Sequence, residues 1–148
     1  AEGAVPEGAY LEFGVSRGTA MACTWRALEA EGLGRMPMIG FDSFEGMPPE
    51  AAVQGWQPGQ YRSALSATRR YLARQGVPPG RAHLVKGWFR DTLTPVTPLR
   101  LGLRHASVVL VDCDIYTASR EALDFVAPLI GAHAVIIFDD WGWRADAG

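Results

Sequence analysis

The chain has 148 residues, of which 48% are hydrophobic and 20% are charged, as is usual for one globular domain and unlike a disordered segment. The formal net charge of -2 leaves no basic surplus for binding nucleic acid or an anionic membrane surface. No apolar run reaches the roughly 20 residues that a membrane-spanning helix requires. We therefore expect a cytoplasmic protein with neither nucleic acid nor a membrane among its partners.

Apolar segments and helical segments alternate along the chain. Short, continuously apolar stretches predict buried strands, and apolar residues at helical spacing predict helices. In chain order we expect a strand at 9–15, a helix at 18–31, a strand at 36–41, a loop at 46–60, a helix at 60–75, a strand at 82–86, a helical turn at 88–93, an irregular crossover, a strand at 107–112, a helix at 117–130 and a strand at 133–138. This alternation predicts an α/β fold with a doubly wound, mostly parallel sheet.

The first predicted strand runs into a turn with the pattern E-x-G-x-x-x-G, formed by Glu12, Gly14 and Gly18. Counted from Gly14, Ser16 and Thr19 stand where a dinucleotide-binding loop has its second and third glycines, and the lysine of a P-loop is also lacking. Because an acid precedes the glycines, the turn favours a ligand with a cationic or hydroxyl-rich part over a phosphate. A strand-to-helix turn that binds no ligand is the alternative.

Acidic residues follow four of the five predicted strands, at the edge where a parallel sheet binds its ligand. Asp42 ends the second strand, and its carboxylate can accept hydrogen bonds from the two vicinal hydroxyls of a ribose. The alternative is that Asp42 caps the start of the following segment.

Three further carboxylates, those of Asp112, Asp139 and Asp140, follow the fourth and fifth strands. Neighbouring strands are about 4.8 Å apart, so side chains at their ends can converge. Converging carboxylates repel one another unless a cation lies between them, and all-oxygen ligation suits Mg²⁺, Mn²⁺ or Ca²⁺. We therefore predict a divalent-metal site, with capping of the last loop by Asp139 and Asp140 as the alternative.

Five blocks in this order and spacing resemble the macrocin-type sugar O-methyltransferases, a family of class I S-adenosylmethionine-dependent methyltransferases. The blocks are "YLEFGVSRGTA", "GFDSFEGMP", "VKGWFRDTL", "LVDCDIYTASREAL" and "VIIFDDWG", and they extend over residues 10–142. The resemblance implies a Rossmann-like methyltransferase fold with strand order 3-2-1-4-5. It also implies methyl transfer from S-adenosylmethionine to a hydroxyl of a sugar or small natural product.

The resemblance assigns cofactor contacts to residues at the strand ends. Along the cofactor from its methionine part to its adenine, the implied contacts are Glu12, Phe13, Gly14 and Gly18, then Asp42, then Ser43 and Phe44, and then Gly87, Trp88 and Phe89. Asp112 would serve the cofactor's amino group, the metal, or both. Phe13, Phe44 and Phe89 could instead be core residues.

The resemblance also implies a divalent ion, usually Mg²⁺, with Mn²⁺ as an alternative, at Asp112, Asp139 and Asp140. A bound dication lowers the pKa of an acceptor hydroxyl and fixes its direction. No lysine follows Asp112 within the next four residues. Asp112 and Asp114 are therefore the catalytic candidates, and the general base is unassigned.

Too few residues follow the fifth strand for the last helix and terminal hairpin of a methyltransferase sheet, and the helical segment that normally precedes the first strand is also missing. We therefore expect residues 1–148 to be one methyltransferase-like domain truncated at both ends. An open fifth-strand edge would favour pairing with another copy of the chain, and thus a homo-oligomer. A non-catalytic cofactor-binding module and a nucleotide-dependent oxidoreductase are the competing functions.

Overall fold

The computed structural model describes residues 8–139. In this part of the chain, five parallel strands form one sheet in the order β3-β2-β1-β4-β5. The strands are β1 (Ala9–Phe13), β2 (Met38–Asp42), β3 (Ala82–Lys86), β4 (Ala106–Val111) and β5 (Ile130–Phe138). The helices are α1 (Thr19–Ala30), α2 (Leu65–Arg74), α3 (Phe89–Thr92), α4 (Thr97–Leu101) and α5 (Tyr116–Val126). The predicted doubly wound α/β fold and its strand order are confirmed.

Element boundaries differ from the sequence prediction mainly in the connections. The predicted loop at 46–60 contains a 3-10 helix, Pro49–Gln54, and the helix predicted to start at residue 60 starts at Leu65. The last helix ends at Val126 and continues as a 3-10 turn, because Pro128 has no N–H to donate to an α-helical bond. Within residues 8–139, no helix combines the length and apolar composition that crossing a bilayer requires.

The central strand β1 is buried along its whole length and divides the core into two layers. Leu11 and Phe13 point to one layer, where they pack in a cluster with Phe125 of α5. Tyr10 points to the other layer, in a cluster with Leu72 of α2. The alternation follows from the two-residue period of a strand. It also places Glu12 on the same face as Tyr10.

Strand β5 forms one edge of the described sheet. Two of its apolar side chains are strongly exposed, with Val135 at 58% and Ile137 at 47% of full exposure. The described part of the sheet therefore ends at an apolar strand that has no neighbouring strand on its outer side. Association of this edge with a second chain stays a prediction.

Gly14 lies where the turn after β1 passes the end of β4. Its φ of +93° is one that L side chains rarely adopt, and a Cβ built on it would overlap the carbonyl oxygen of Asp112. The amide of Asp112 in turn donates to the carbonyl of Phe13 at 2.9 Å. Any side chain at position 14 would therefore separate β1 from β4 at the ligand-binding edge of the sheet.

The close approach at Gly14 predicts a large loss of stability in Gly14→Ala. Gly80 is a matched control, since its φ is also positive at +78° but nothing lies within 4 Å of a Cβ there. Gly80→Ala should cost about 1–2 kcal/mol, from backbone strain alone. Gly14→Ala should cost at least about 1 kcal/mol more, from overpacking. Urea unfolding of both variants measures the difference, and equal losses would contradict the close approach.

Candidate functional site

A cavity of about 710 Å³ opens at the carboxyl ends of the strands, in the size range of small-molecule sites. Its floor is formed by residues that directly follow or end β1, β2, β4 and β5, and its outer wall by the connection between β2 and α2. The predicted site residues that line it are Glu12, Gly14, Asp42, Ser43, Trp88, Phe89, Asp112, Asp114 and Asp139. Topology has therefore brought together residues that are far apart in the sequence.

Glu12 is the most unusual residue of this cavity, because its carboxyl group is fully buried in the central strand. The hydroxyl of Tyr10, two residues earlier on the same face, donates to Glu12 Oε2 at 2.6 Å. Glu12 Oε1 is buried and has no hydrogen-bond partner among the described residues. A buried acceptor without a partner costs free energy, so Glu12 is suited to receive a donor from a bound ligand.

Burial controls the charge of Glu12. The pKa of this carboxyl is raised from its ordinary value of 4.5 to about 8. Desolvation by burial is the largest cause, the Tyr10 hydrogen bond acts in the opposite direction, and the nearby charges of Asp112 and Asp42 add to the rise. Burial also raises the pKa of the Tyr10 phenol, so Tyr10 stays a donor at neutral pH. A cationic group placed against Glu12 would favour its ionised form.

Asp42 connects the turns that follow two neighbouring strands. Its Oδ2 accepts a hydrogen bond from the amide of Ser16 at 2.7 Å, and its Oδ1 accepts one from the amide of Phe44 at 2.5 Å. Ser16 and Phe44 both have positive φ, at 45° and 56°. Both interpretations of Asp42 from the sequence can therefore hold. It caps the local backbone, and each oxygen keeps a second lone pair for a ligand hydroxyl.

The aspartates after β4 and β5 also face the cavity. Asp112 and Asp114 flank the β4–α5 turn, and Asp139 follows the neighbouring strand β5, where its amide donates to the carbonyl of Val111 at 3.2 Å. Asp140 lies outside the described residues. Among residues 8–139, no group of three His, Cys, Asp or Glu side chains is arranged to hold a metal ion.

Cysteine chemistry is not available at this edge of the sheet. Both cysteines, Cys23 and Cys113, are free in the described residues. Burial raises the pKa of the Cys113 thiol to about 12, so Cys113 is a thiol rather than a nucleophilic thiolate at neutral pH.

Several predicted contact residues lie beside the cavity without lining it. Phe13 is fully buried and stacks on Phe41 with ring centroids 5.2 Å apart, and Phe44 belongs to the core on the opposite face. These two side chains are core residues, which was the alternative from the sequence. A Cβ on Gly18 would lie 3.1 Å from side chains of α2, so this glycine serves the packing of α2 beneath the turn.

Gly87 also does not line the cavity. A Cβ at this position would overlap a methyl group of Thr92 in the following helical turn, so Gly87 allows that turn to pack closely. Ser43 does line it, but its hydroxyl accepts from the amide of Glu45 at 3.1 Å and donates to the carbonyl of Gly46 at 3.3 Å. Trp88 and Phe89 remain as the aromatic residues on this side of the cavity.

The sequence analysis missed the outer wall of the cavity, because residues 46–61 have no periodicity. Trp56 and Tyr61 of this segment line the cavity, with ring centroids 5.7 Å apart in an edge-to-face contact. Met47 and Ala51 anchor the segment by packing with Ile115 at the start of α5. The cluster of aromatic and apolar residues in "GMPPEAAVQGWQPGQY" was the available signal.

The raised pKa of Glu12 predicts how stability depends on pH. The folded protein keeps a proton on Glu12 that the unfolded chain has released, so the free energy of unfolding should fall between about pH 4.5 and pH 8. Glu12→Gln keeps an oxygen that can accept from Tyr10 but cannot titrate. The free energy of unfolding of Glu12→Gln should therefore fall less over this range than that of the unsubstituted chain. The difference should exceed about 1.4 kcal/mol, which corresponds to one pKa unit.

Urea unfolding at pH 5 and pH 8.5 measures this effect, with Tyr10→Phe as the control. Tyr10→Phe removes the donor but leaves the buried carboxyl, so its stability should still fall as the pH rises. The same pH dependence in Glu12→Gln as in the unsubstituted chain would show that Glu12 does not carry the effect.

Solved structures share this architecture. The structure described as CalS11, calicheamicin methyltransferase, superposes with a TM-score of 0.76 at 20% sequence identity, covering 93% of this chain and 59% of that one. The O-methyltransferase NovP superposes with a TM-score of 0.75 at 24% identity, covering 91% and 57%. At these identities the likeness shows the fold alone.

Two curated proteins are similar in sequence. The 8-demethyl-8-(2,3-dimethoxy-alpha-L-rhamnosyl)-tetracenomycin-C 4'-O-methyltransferase of Streptomyces olivaceus is 28% identical over 143 residues, which are 90% of this chain and 53% of that protein. The mycinamicin III 3''-O-methyltransferase of Micromonospora griseorubida is 28% identical over 147 residues, and the match covers 90% of this chain and 55% of that protein. The chain thus spans about half the length of these relatives.

The sequence profile of one protein family covers nearly the whole chain. It is that of Macrocin-O-methyltransferase (TylF), and it matches residues 2–147. The match includes every strand and helix described above. The chain belongs to the macrocin O-methyltransferase (TylF) family, whose members are S-adenosylmethionine-dependent sugar O-methyltransferases.

Proposed function

We propose that this chain binds S-adenosylmethionine in the cavity and directs its methyl group to a hydroxyl of a sugar or of a sugar-bearing small molecule. The buried Oε1 of Glu12, which has no partner among the described residues, is the observation that carries the proposal. In the proposed site this oxygen would accept from a charged donor, because the resemblance to the family implies that Glu12 lines the methionine part of the cofactor. Both curated relatives are named as O-methyltransferases, one of a rhamnosyl-tetracenomycin C and the other of mycinamicin III.

In this proposal, three groups along the strand ends would bind the cofactor. Glu12 would accept from the ammonium group of the methionine part, which faces the end of β1. Asp42 would accept from the two ribose hydroxyls through its remaining lone pairs. Trp88 and Phe89, after β3, would flank the adenine. Asp42 then holds the ribose and the two turns around it at the same time.

The charges around the cavity favour a cationic ligand. Among residues 8–139, seven acidic side chains line it, against two arginines. The acidic side chains are Glu12, Asp42, Glu50, Asp112, Asp114, Glu121 and Asp139, and the arginines are Arg17 and Arg90. Arg90 is paired with Glu50 at 3.3 Å. Because its pKa is about 8, Glu12 is largely protonated at neutral pH in the ligand-free protein. The other six carboxylates outnumber the arginines, and the resulting negative potential attracts the sulfonium and ammonium groups of S-adenosylmethionine.

The same edge of the sheet could also hold a divalent ion. Asp112 and Asp139 follow neighbouring strands and line the cavity. We propose that they bind Mg²⁺ or Mn²⁺ together with Asp140. When bound, such an ion would lower the pKa of the acceptor hydroxyl and orient it. Asp114, in the same turn as Asp112, is the candidate to receive the hydroxyl proton.

A cofactor-binding module without its own transferase activity is the second candidate. The chain spans about half the length of its curated relatives, so their transferase activity does not pass to it by similarity alone. Both candidates predict binding of S-adenosylmethionine. Only the transferase predicts methylated product from a panel of glycosylated acceptors.

Asp42→Ala tests where the ribose binds. The variant leaves the ribose hydroxyls and two backbone amides without an acceptor, so the affinity for S-adenosylmethionine should fall by at least about 1–3 kcal/mol. Titration calorimetry measures the affinity. Asp124→Ala, on α5 and away from the cavity, is the control and should bind like the unsubstituted chain. An unchanged affinity in Asp42→Ala would mean that the ribose lies elsewhere.

Asp139→Asn tests the metal proposal. The variant loses one negative charge at the proposed ion but touches none of the groups that we assign to the cofactor. The Mg²⁺ concentration for half-maximal methyl transfer should rise at least about tenfold, while the affinity for S-adenosylmethionine stays within twofold. Asp124→Asn is the control. Full transfer by the unsubstituted chain in excess EDTA would refute the metal proposal.

A further inference from the structure

Two polar or charged side chains are fully buried among the described residues, and one of them, Thr68, does not line the cavity. Thr68 lies in α2, 26 residues after Asp42 and on the opposite side of the turn that follows β1. The other, Glu12, has a place in the proposed site. A fully buried hydroxyl needs partners, and the partners of Thr68 are in that turn.

Thr68 contacts the turn at two points. Its hydroxyl donates to the carbonyl oxygen of Ser16 at 2.6 Å. Its methyl group would lie 3.1 Å from a Cβ on Gly18, so it packs directly on that glycine. The hydroxyl of Ser63 lies 3.2 Å from the Thr68 hydroxyl and can donate to it. One side chain therefore supports both ends of the segment from Ser16 to Gly18.

Ser16 is the residue of the turn that needs this support. Its φ of +45° is unfavourable for a residue other than glycine, and it persists only where the surroundings fix it. The Ser16 amide donates to Asp42, its carbonyl accepts from Thr68, and its hydroxyl donates to the carbonyl of Tyr61 at 3.2 Å. The Ser16–Asp42 bond and the Ser16–Thr68 bond thus hold opposite ends of one residue.

We propose that Thr68 is a positioning residue for cofactor binding. It touches no part of the cofactor and acts by fixing Ser16, whose amide orients the Asp42 carboxylate toward the ribose. This inference rests on the proposed function, because it assigns the ribose to Asp42. The inference has two parts, the fixing of the turn by Thr68 and its effect on cofactor binding. The first part, its structural half, does not depend on any ligand.

Thr68→Val tests the proposal, because it keeps the shape of the side chain and removes the hydroxyl. Affinity for S-adenosylmethionine should fall about five- to tenfold, the usual effect of one lost hydrogen bond. In a transfer assay, KM for S-adenosylmethionine should rise with kcat nearly unchanged. In the ligand-free protein, amide hydrogen exchange of residues 14–18 should be faster by a similar factor.

Two further variants separate positioning from general stability. Thr68→Ser keeps the hydroxyl and should restore the affinity to within twofold. Thr97→Val removes a hydroxyl that donates to a backbone carbonyl away from the cavity. It should lower the melting temperature but leave the affinity for S-adenosylmethionine and the amide exchange of residues 14–18 unchanged. Should Thr68→Val not fold, Thr68→Ala and Thr68→Ser give the same comparison.

The outcomes distinguish the two proposals. If the unsubstituted chain does not bind S-adenosylmethionine, the proposed function fails, and the positioning role fails with it. Unchanged exchange at 14–18 in Thr68→Val would refute the structural half whether or not the cofactor binds. Normal binding by the unsubstituted chain, with equal affinity in Thr68→Val or no rescue by Thr68→Ser, would refute the positioning role alone.

Discussion

The site depends on a carboxyl group that lies in the middle of the sheet with no access to solvent. Burial of Glu12 costs free energy, and one hydrogen bond from Tyr10 offsets only part of it. The remaining oxygen is buried and has no hydrogen-bond partner among the described residues, and Glu12 as a residue lines the cavity. A ligand that brings a cationic donor to this oxygen would recover the cost. The chain thus carries a destabilising group, and we propose that ligand binding compensates for it.

The glycine turn beside Glu12 is held by side chains rather than by a full set of glycines. Ser16 stands at the position where a dinucleotide-binding loop has its second glycine, and it takes a positive φ at a cost. Two hydrogen bonds stabilise this conformation: the Ser16 amide donates to Asp42, and the Thr68 hydroxyl donates to the Ser16 carbonyl. Gly14 is required for a different reason, the close passage of the Asp112 carbonyl. The turn is therefore coupled to β2, β4 and α2.

Much of this arrangement could be predicted from the sequence, because it follows from periodicity and topology. Continuous apolar strands indicated the parallel sheet, and the residues after each strand indicated the cavity floor. Burial was harder to predict. Phe13 and Phe44 directly adjoin site residues, yet the two-residue period and a tight turn direct them into the core. The segment at 46–61 was missed because aromatic residues such as Trp56 are placed by tertiary packing and follow no repeat. The hydroxyl of Thr68 gave no signal, since a threonine in a helix is unremarkable until its partner is known.

The family supports the chemistry, and the chain spans about half of its curated relatives, so activity must be tested on the protein itself. The most direct test is a crystal structure of the chain with S-adenosylhomocysteine. The account predicts both ribose hydroxyls within hydrogen-bonding distance of Asp42 and the ammonium group against Glu12 Oε1. A bound ligand whose ribose contacts neither oxygen of Asp42, or a cavity that takes up no ligand at saturating concentration, would contradict it.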